Sequence, residues 1–279
     1  MSPTTSVWQD KVALVTGGSS GIGLATARQL AEEGASVWIL GRRQGLLDAA
    51  MSGTDGGRSR FCGAIRADVA DWEQVQAAVE QVAEAAGTPD LLINSAGVTR
   101  PGYFQDLDLE IFRDMMEINY FGAVHLVKAV LPGMLARQSG TIVNISSRAG
   151  HLGMFGYTAY SGSKFALAGF SDALRLELKA TEIQLSIVLP PDTDTPQLVY
   201  DKQYQPKEAS EVIRMAGVMQ PEEVAKILLR ETARGRYMIL PGLESQFWYR
   251  VISLGEGLGI LYPVLDWLFR RAQKKVRSH

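Results

Sequence analysis

Short runs rich in Val, Ile and Leu recur along the chain, separated by longer stretches in which apolar residues return at helical spacing. The runs Val12–Thr16, Ser36–Leu40, Phe61–Ala67, Leu91–Asn94, Thr141–Ile145, Gln184–Leu189 and Tyr237–Leu240 read as buried strands. Between them, Ile22–Glu33, Asp71–Ala86, Leu109–Ala136 and Tyr160–Ala180 have helix length. Alternation of strand and helix predicts an α/β fold with a parallel sheet covered on both faces, since parallel strands need crossovers. Neither a repeat nor a low-complexity linker divides the chain. The expectation is one domain over residues 1–243 and a helical tail over 244–279. Residues 190–220 open on Pro190-Pro191-Asp192-Thr193-Asp194-Thr195-Pro196 and are too long for a simple connection, as expected of a lid or substrate loop.

Composition narrows the classes. A chain of 279 residues with formal net charge −2 is ordinary for a soluble protein and offers no electrostatic footprint for nucleic acid. The single cysteine, Cys62, rules out an internal disulfide and suits a reducing, cytoplasmic setting. Met1–Asp10 has neither a basic region nor an apolar core, so no secretory signal is expected. The histidines, at 125, 151 and 279, show no ligand spacing with Cys62, and no metal is expected.

The first strand runs into Thr16-Gly17-Gly18-Ser19-Ser20-Gly21-Ile22-Gly23 and then directly into a helical pattern. Such glycines allow a tight turn and bring backbone N–H groups at the helix start onto a pyrophosphate, which predicts a dinucleotide. The same residues match the Gly-x-Ser-x-Gly elbow of serine hydrolases, but nothing else in the chain supports acyl transfer. After the second strand, where an acid often holds the ribose 2′-hydroxyl, stand Gly41-Arg42-Arg43. Guanidinium groups there favour NADPH over NADH, with a solvated helix start as the plainer alternative.

Tyr160-Ser161-Gly162-Ser163-Lys164 puts a phenol and an ammonium on one helical face. Alone the spacing carries little. Upstream, however, Ile142-Val143-Asn144-Ile145-Ser146-Ser147 is a buried strand ending in a hydroxyl, at the end of the sheet where ligands bind. Reduction of a ketone leaves an alkoxide that must be protonated. Lysine beside the tyrosine is expected to draw the phenol pKa down toward working pH, and Ser147 to hydrogen-bond the substrate oxygen. Ser161-x-x-Lys164 also matches the start of a β-lactamase signature, whose other parts are missing.

Together, residues Thr16 to Gly23, Asn94-Ser95-Ala96-Gly97, Asn119, Ser147, Tyr160 and Lys164 resemble the short-chain dehydrogenase/reductase family, over residues 10 to about 195. The resemblance implies a single-domain Rossmann fold with a doubly wound seven-stranded parallel sheet. It implies a Ser147–Tyr160–Lys164 triad, with Asn119 holding a water that links Lys164 to solvent. It also implies NADPH/NADP+ contacts from Gly17, Ser19, Ser20, Gly21, Ile22, Gly23, Arg42, Arg43, Asp68, Val69, Asn94, Ala96, Gly97, Pro190, Thr193 and Thr195, besides Tyr160 and Lys164. Homo-oligomers, dimers or tetramers, pairing the helices of Asn119 and Tyr160, are expected on the same ground.

Ser146 to Tyr160 and Pro190 to Pro196 further resemble the 3-ketodihydrosphingosine reductases within that family. The implied reaction is NADPH-dependent reduction of a 3-keto sphingoid base to the 3-hydroxy amine. Asp192 and Asp194 then either face the substrate ammonium or cap their loop. Leu152, Met154 and Phe155 either line an alkyl channel or pack in the core. Another bulky ketone (steroid, retinoid or fatty-acyl) is the alternative substrate, and a silent NADPH-binding sensor or scaffold the alternative of another class.

The tail fits a lipid substrate. Phe247-Trp248-Tyr249 opens an apolar stretch to Phe269 that carries Arg250, Glu256 and Asp266, so it falls short of the roughly 20 residues of a spanning helix. Gly255-Glu256-Gly257-Leu258-Gly259 should split it into two helices, and Arg270-Arg271 and Lys274-Lys275 suit an anionic leaflet. An interfacial anchor on the cytoplasmic face of a membrane and an arm in an oligomer interface are the two expectations. Animal relatives carry an N-terminal membrane segment that this sequence does not show, which leaves attachment to the tail.

Overall fold

The computed structural model describes residues 6–53, 61–209 and 217–277. Seven strands form one parallel sheet: β1 (Val12–Thr16), β2 (Ser36–Gly41), β3 (Phe61–Arg66), β4 (Leu91–Asn94), β5 (Ser139–Ile145), β6 (Glu182–Val188) and β7 (Met238–Ile239), in the order β3-β2-β1-β4-β5-β6-β7. Successive side chains of a strand point to opposite faces, and both faces here are dry. Leu14 joins a core shared with α3 (Trp72–Ala86), α5 (Gly122–Ala136) and α6 (Thr158–Glu177). Its neighbours Ala13 and Val15 join the opposite core, packed under α1 (Gly21–Glu32), α2 (Gln44–Ser52) and α8 (Pro221–Ala233). That two-sided burial explains why the strands read as continuous apolar runs.

The predicted helix over 109–136 is continuous but not uniform. It comprises α4 (Leu109–Met116), a π-helical turn (Glu117–Phe121) and α5. Among the described residues it is the one helix long and apolar enough to cross a membrane, yet Leu126, Val130 and Met134 are buried in the sheet-facing core. The loop after β6 holds a helix that the sequence reading missed, α7 (Pro196–Tyr204), which starts where the Thr195 hydroxyl accepts from the Leu198 N–H. The loop is tied back by a bridge between Thr193 and Met219.

The tail forms α9 (Leu243–Gly257) and α10 (Leu261–Arg277), and the break falls in the glycine cluster as expected, with Gly259 at φ +69°. One side of α9 docks on the body: Tyr249 stacks on His151 with ring centroids 4.3 Å apart, and Ser253 Oγ lies 3.3 Å from His151 Nε2. The other side carries Phe247, Val251 and Leu254 at three- and four-residue intervals, with Leu258 just past the helix end, all exposed.

Candidate active site

β1 and β4 are neighbours whose chains leave toward opposite faces of the sheet, so a crevice opens between their carboxyl ends. Thr16 pairs in register with Asn94 there, and the Thr16 hydroxyl accepts from the N–H groups of Ser95 and Ala96 at 3.1 Å each. A cavity of about 1680 Å³ fills the crevice, wider than a small-ligand pocket and open to two molecules at once.

The glycine loop fits a pyrophosphate. Gly17 has φ +64°, and a Cβ there would sit 2.9 Å from the Ala96 nitrogen. A Cβ at Gly23 would strike the Gly17 carbonyl, so Gly23 lets α1 start hard against the loop. Ser20 precedes that helix without capping it, because its hydroxyl accepts from Arg43 Nη2 at 3.3 Å. The first turn also lacks an acid, which leaves its N–H groups and the positive end of the helix dipole facing the cavity.

Most of the sequence-derived residues converge here. Gly17, Ser19, Ser20, Gly21, Ile22, Arg42, Arg43, Val69, Ala96, Gly97, Ser147, Tyr160, Lys164, Pro190, Thr193 and Thr195 all line the cavity. Gly23, Asp68, Asn94 and Asn119 do not. Asp68 pairs with Arg42 at 3.5 Å. Asn94 donates to Asn144 Oδ1 at 2.9 Å, and Asn144 donates to Ser171, a buried polar chain behind the site.

Asn119 sits at the π-helical turn, 1% exposed. Its amide donates to the Val98 carbonyl and to Ser163 Oγ, both at 2.9 Å, and its oxygen accepts from the Val98 N–H at 2.8 Å. Asn119 thus braces the loop after β4 against α6, as a positioning residue behind the cavity. An extra residue in the helical turn rotates it into that seat.

The phenol and the ammonium do meet. Tyr160 hydrogen-bonds Ser147, whose Oγ also accepts from the Ala149 N–H at 3.1 Å. Lys164 is 4% exposed, its Nζ donates to the Ile145 carbonyl at 2.9 Å, and that nitrogen lies 5.7 Å from the Tyr160 ring centroid. The expected lowering of the phenol pKa is overridden. Burial pushes Tyr160 up to about 12, while hydrogen bonds to Ser147 and Gln197 pull it back and the charges of Asp201 and Asp192 add to the rise. Burial likewise pulls Lys164 down to about 8. Near neutral pH the tyrosine is therefore a fully protonated donor.

Of the residues considered for an alkyl channel, Met154 lines the cavity; Leu152 does not, and Phe155 packs edge-on against Tyr103 outside it. Asp192 lines the cavity paired to Arg148 at 3.3 Å, whereas Asp194 is exposed and away from it. Gln197, Tyr157, Thr99 and Asp201 belong to the site without any sequence motif to announce them.

A short chain dehydrogenase profile matches residues 11–205. The chain is 39% identical over 259 residues to a 3-dehydrosphinganine reductase of Danio rerio, covering 91% of this chain and 77% of that one. It is 36% identical to a 3-ketodihydrosphingosine reductase of Dictyostelium discoideum, covering 82% and 74%. The crystal structure of a short-chain dehydrogenase from Streptomyces avermitilis superposes with a TM-score of 0.73 at 27% identity, covering 100% of this chain and 98% of that one. With a glycine loop, a buried tyrosine–lysine pair and a serine at the end of β5 in one crevice, the chain belongs to the short-chain dehydrogenase/reductase family.

Proposed function

We propose that the protein reduces the 3-keto group of a 3-keto sphingoid base to the 3-hydroxy amine, with NADPH as cofactor and Tyr160 as general acid. The observation that carries this is the protonated, buried Tyr160 phenol bonded to Ser147 inside a cavity with apolar walls at Ile111, Met115, Ile118 and Met154. The names of the relatives supply the substrate class.

NADPH supplies the hydride. The loop from Gly17 to Ile22 would hold its phosphates, Arg42 and Arg43 its 2′-phosphate and Val69 its adenine, with Ala96 and Gly97 lining the way from there to Lys164. Pro190, Thr193 and Thr195 would contact its nicotinamide half, and Lys164 would hold the nicotinamide ribose. Ser147 orients the substrate oxygen, Tyr160 passes its proton to that oxygen, and the Lys164 cation steadies the phenolate that remains. Purified protein given NADPH and 3-ketodihydrosphingosine should consume NADPH, read as loss of absorbance. Arg42→Ala should raise KM for NADPH about tenfold and leave KM for NADH unchanged, since only the former loses a charge-assisted bond. No turnover, or equal effects on both cofactors, would reject the substrate or the 2′-phosphate role respectively.

The tail is read as a contact with the cytoplasmic face of a membrane. Phe247 is 60%, Leu254 65% and Trp267 58% exposed, and Arg250, Arg270, Arg271 and Lys274 are exposed beside them. The side chains of Phe269 and Lys275 lie outside the described residues. Apolar anchors next to cations match a surface of anionic lipid. α5 and α6, which expose Phe121 and Phe165 respectively or at their margin, are the faces proposed to pair two copies. The full chain should float with phosphatidylserine vesicles, and the double variant Leu254→Glu/Leu258→Glu should stay in solution as a dimer. A monomeric variant would reassign the tail to the interface between copies.

A further inference from the structure

Among the described residues, three carboxylates line the active-site cavity: Asp114, Asp192 and Asp201. Asp114 is exposed and Asp192 is held by Arg148. Asp201, on α7, is different. It is 9% exposed, and its Oδ1 has no hydrogen-bond partner among the described residues. The Thr99 hydroxyl, 5% exposed on the facing loop, is an orphan of the same kind. Thr99 and Tyr157 approach the carboxyl closely enough to favour its charged form, yet neither satisfies Oδ1. A buried carboxylate oxygen without a donor is costly to a folded protein, so its presence in a binding cavity calls for a ligand that donates to it.

The position of Asp201 fixes what that donor is. Its charge acts on the Tyr160 phenol, and Tyr157, which touches both groups, has its ring centroid 6.2 Å from that of Tyr160. Asp201 and Tyr160 thus stand on either side of Tyr157 in one cavity, so a ligand whose carbonyl meets Tyr160 has its neighbouring groups on hand for Asp201. In a 3-keto sphingoid base the carbon next to the carbonyl carries the amine. We propose that Asp201, with the Thr99 hydroxyl beside it, receives the protonated 2-amino group of the substrate and sets the preference of the enzyme for amino ketones. The inference rests on the sphingoid-ketone reading above. It assigns to Asp201 the role that the sequence had suggested for Asp192 and Asp194. Burial pushes the Asp201 carboxyl up to about 7, opposed by Thr99 and reinforced by Asp192, so a cation placed beside it brings out the charged form. A polar group built to be satisfied by its substrate also discriminates strongly against analogues that lack the donor.

The test compares 3-ketodihydrosphingosine with the corresponding ketone that lacks the 2-amino group, using wild type, Asp201→Asn and Asp201→Glu. Melting temperature and NADPH affinity serve as checks that each variant is folded. Asp201→Asn should lower kcat/KM for the amino ketone about 10- to 100-fold more than it changes kcat/KM for the amine-free ketone, with the difference carried mainly by KM. Asp201→Glu should recover part of the loss. Equal losses on both ketones, or none on either, would overturn the role of Asp201 while leaving the reductase reading intact. Wild type that consumes only the amine-free ketone would overturn the sphingoid reading and this inference with it.

Discussion

Tyr160→Phe is expected to lower kcat about 10³-fold while the dissociation constant for NADPH stays within about twofold of wild type, because a positioned acid contributes about 10²–10⁴ to such a step. The variant removes one oxygen and keeps the ring, so the packing against Tyr157 survives. What disappears is a group bonded to Ser147 that carries a proton at neutral pH and can yield it to an alkoxide. The phenol, held up near 12 by burial, is a poor acid toward water but still far stronger than an alcohol. Proton transfer to the alkoxide is therefore downhill. Single-turnover loss of NADPH absorbance measures the rate, and fluorescence titration measures the affinity. A variant that keeps a tenth of the wild-type rate would move the acid to another group.

The parts of this site that could be read from the sequence are those fixed by the backbone. Gly17, Gly23 and the strand end at Ser147 occupy positions set by the parallel sheet, and the sheet announces itself because both faces of its strands are buried. Tyr160 and Lys164 share a helical face by spacing alone. Asn119 was legible as a residue of interest, but its seat depends on a π-helical turn that no periodicity reveals inside a long apolar helix. The loop after β6 hid the most. α7 is weakly amphipathic and reads as a mixed polar stretch, so neither Gln197 against the phenol nor the orphaned Asp201 oxygen could be seen until α7 was folded over the cavity. Of the acids that the motif singled out, Asp192 lines the cavity but is held by Arg148, and Asp194 lies exposed outside it. Electrostatics resisted for the same reason: the expected pull of Lys164 on Tyr160 follows from their spacing, whereas the depth of burial that lets desolvation dominate does not.

Lys164→Met should separate stability from catalysis. Burial holds the lysine near 8 in the folded chain against 10.5 when free, so the unfolded chain binds more protons between those values and stability rises with pH across that window. Below about pH 8 the full penalty of the buried charge remains, on the order of 3 kcal/mol at 1.36 kcal/mol per pH unit. Methionine removes that penalty and gives up the bond to the Ile145 carbonyl, about 1 kcal/mol. The balance, roughly 2 kcal/mol, should raise the melting temperature at pH 7 by about 4–8 °C. Catalysis should move the other way. A cation beside the Tyr160 ring steadies the phenolate left after proton transfer, and its loss should lower kcat on the order of 100-fold. The wild-type rate of reduction should fall as pH rises through about 8, where Lys164 loses its charge, and the variant should show no such limb. A variant that melts lower and keeps both its rate and the alkaline limb would remove Lys164 from the mechanism.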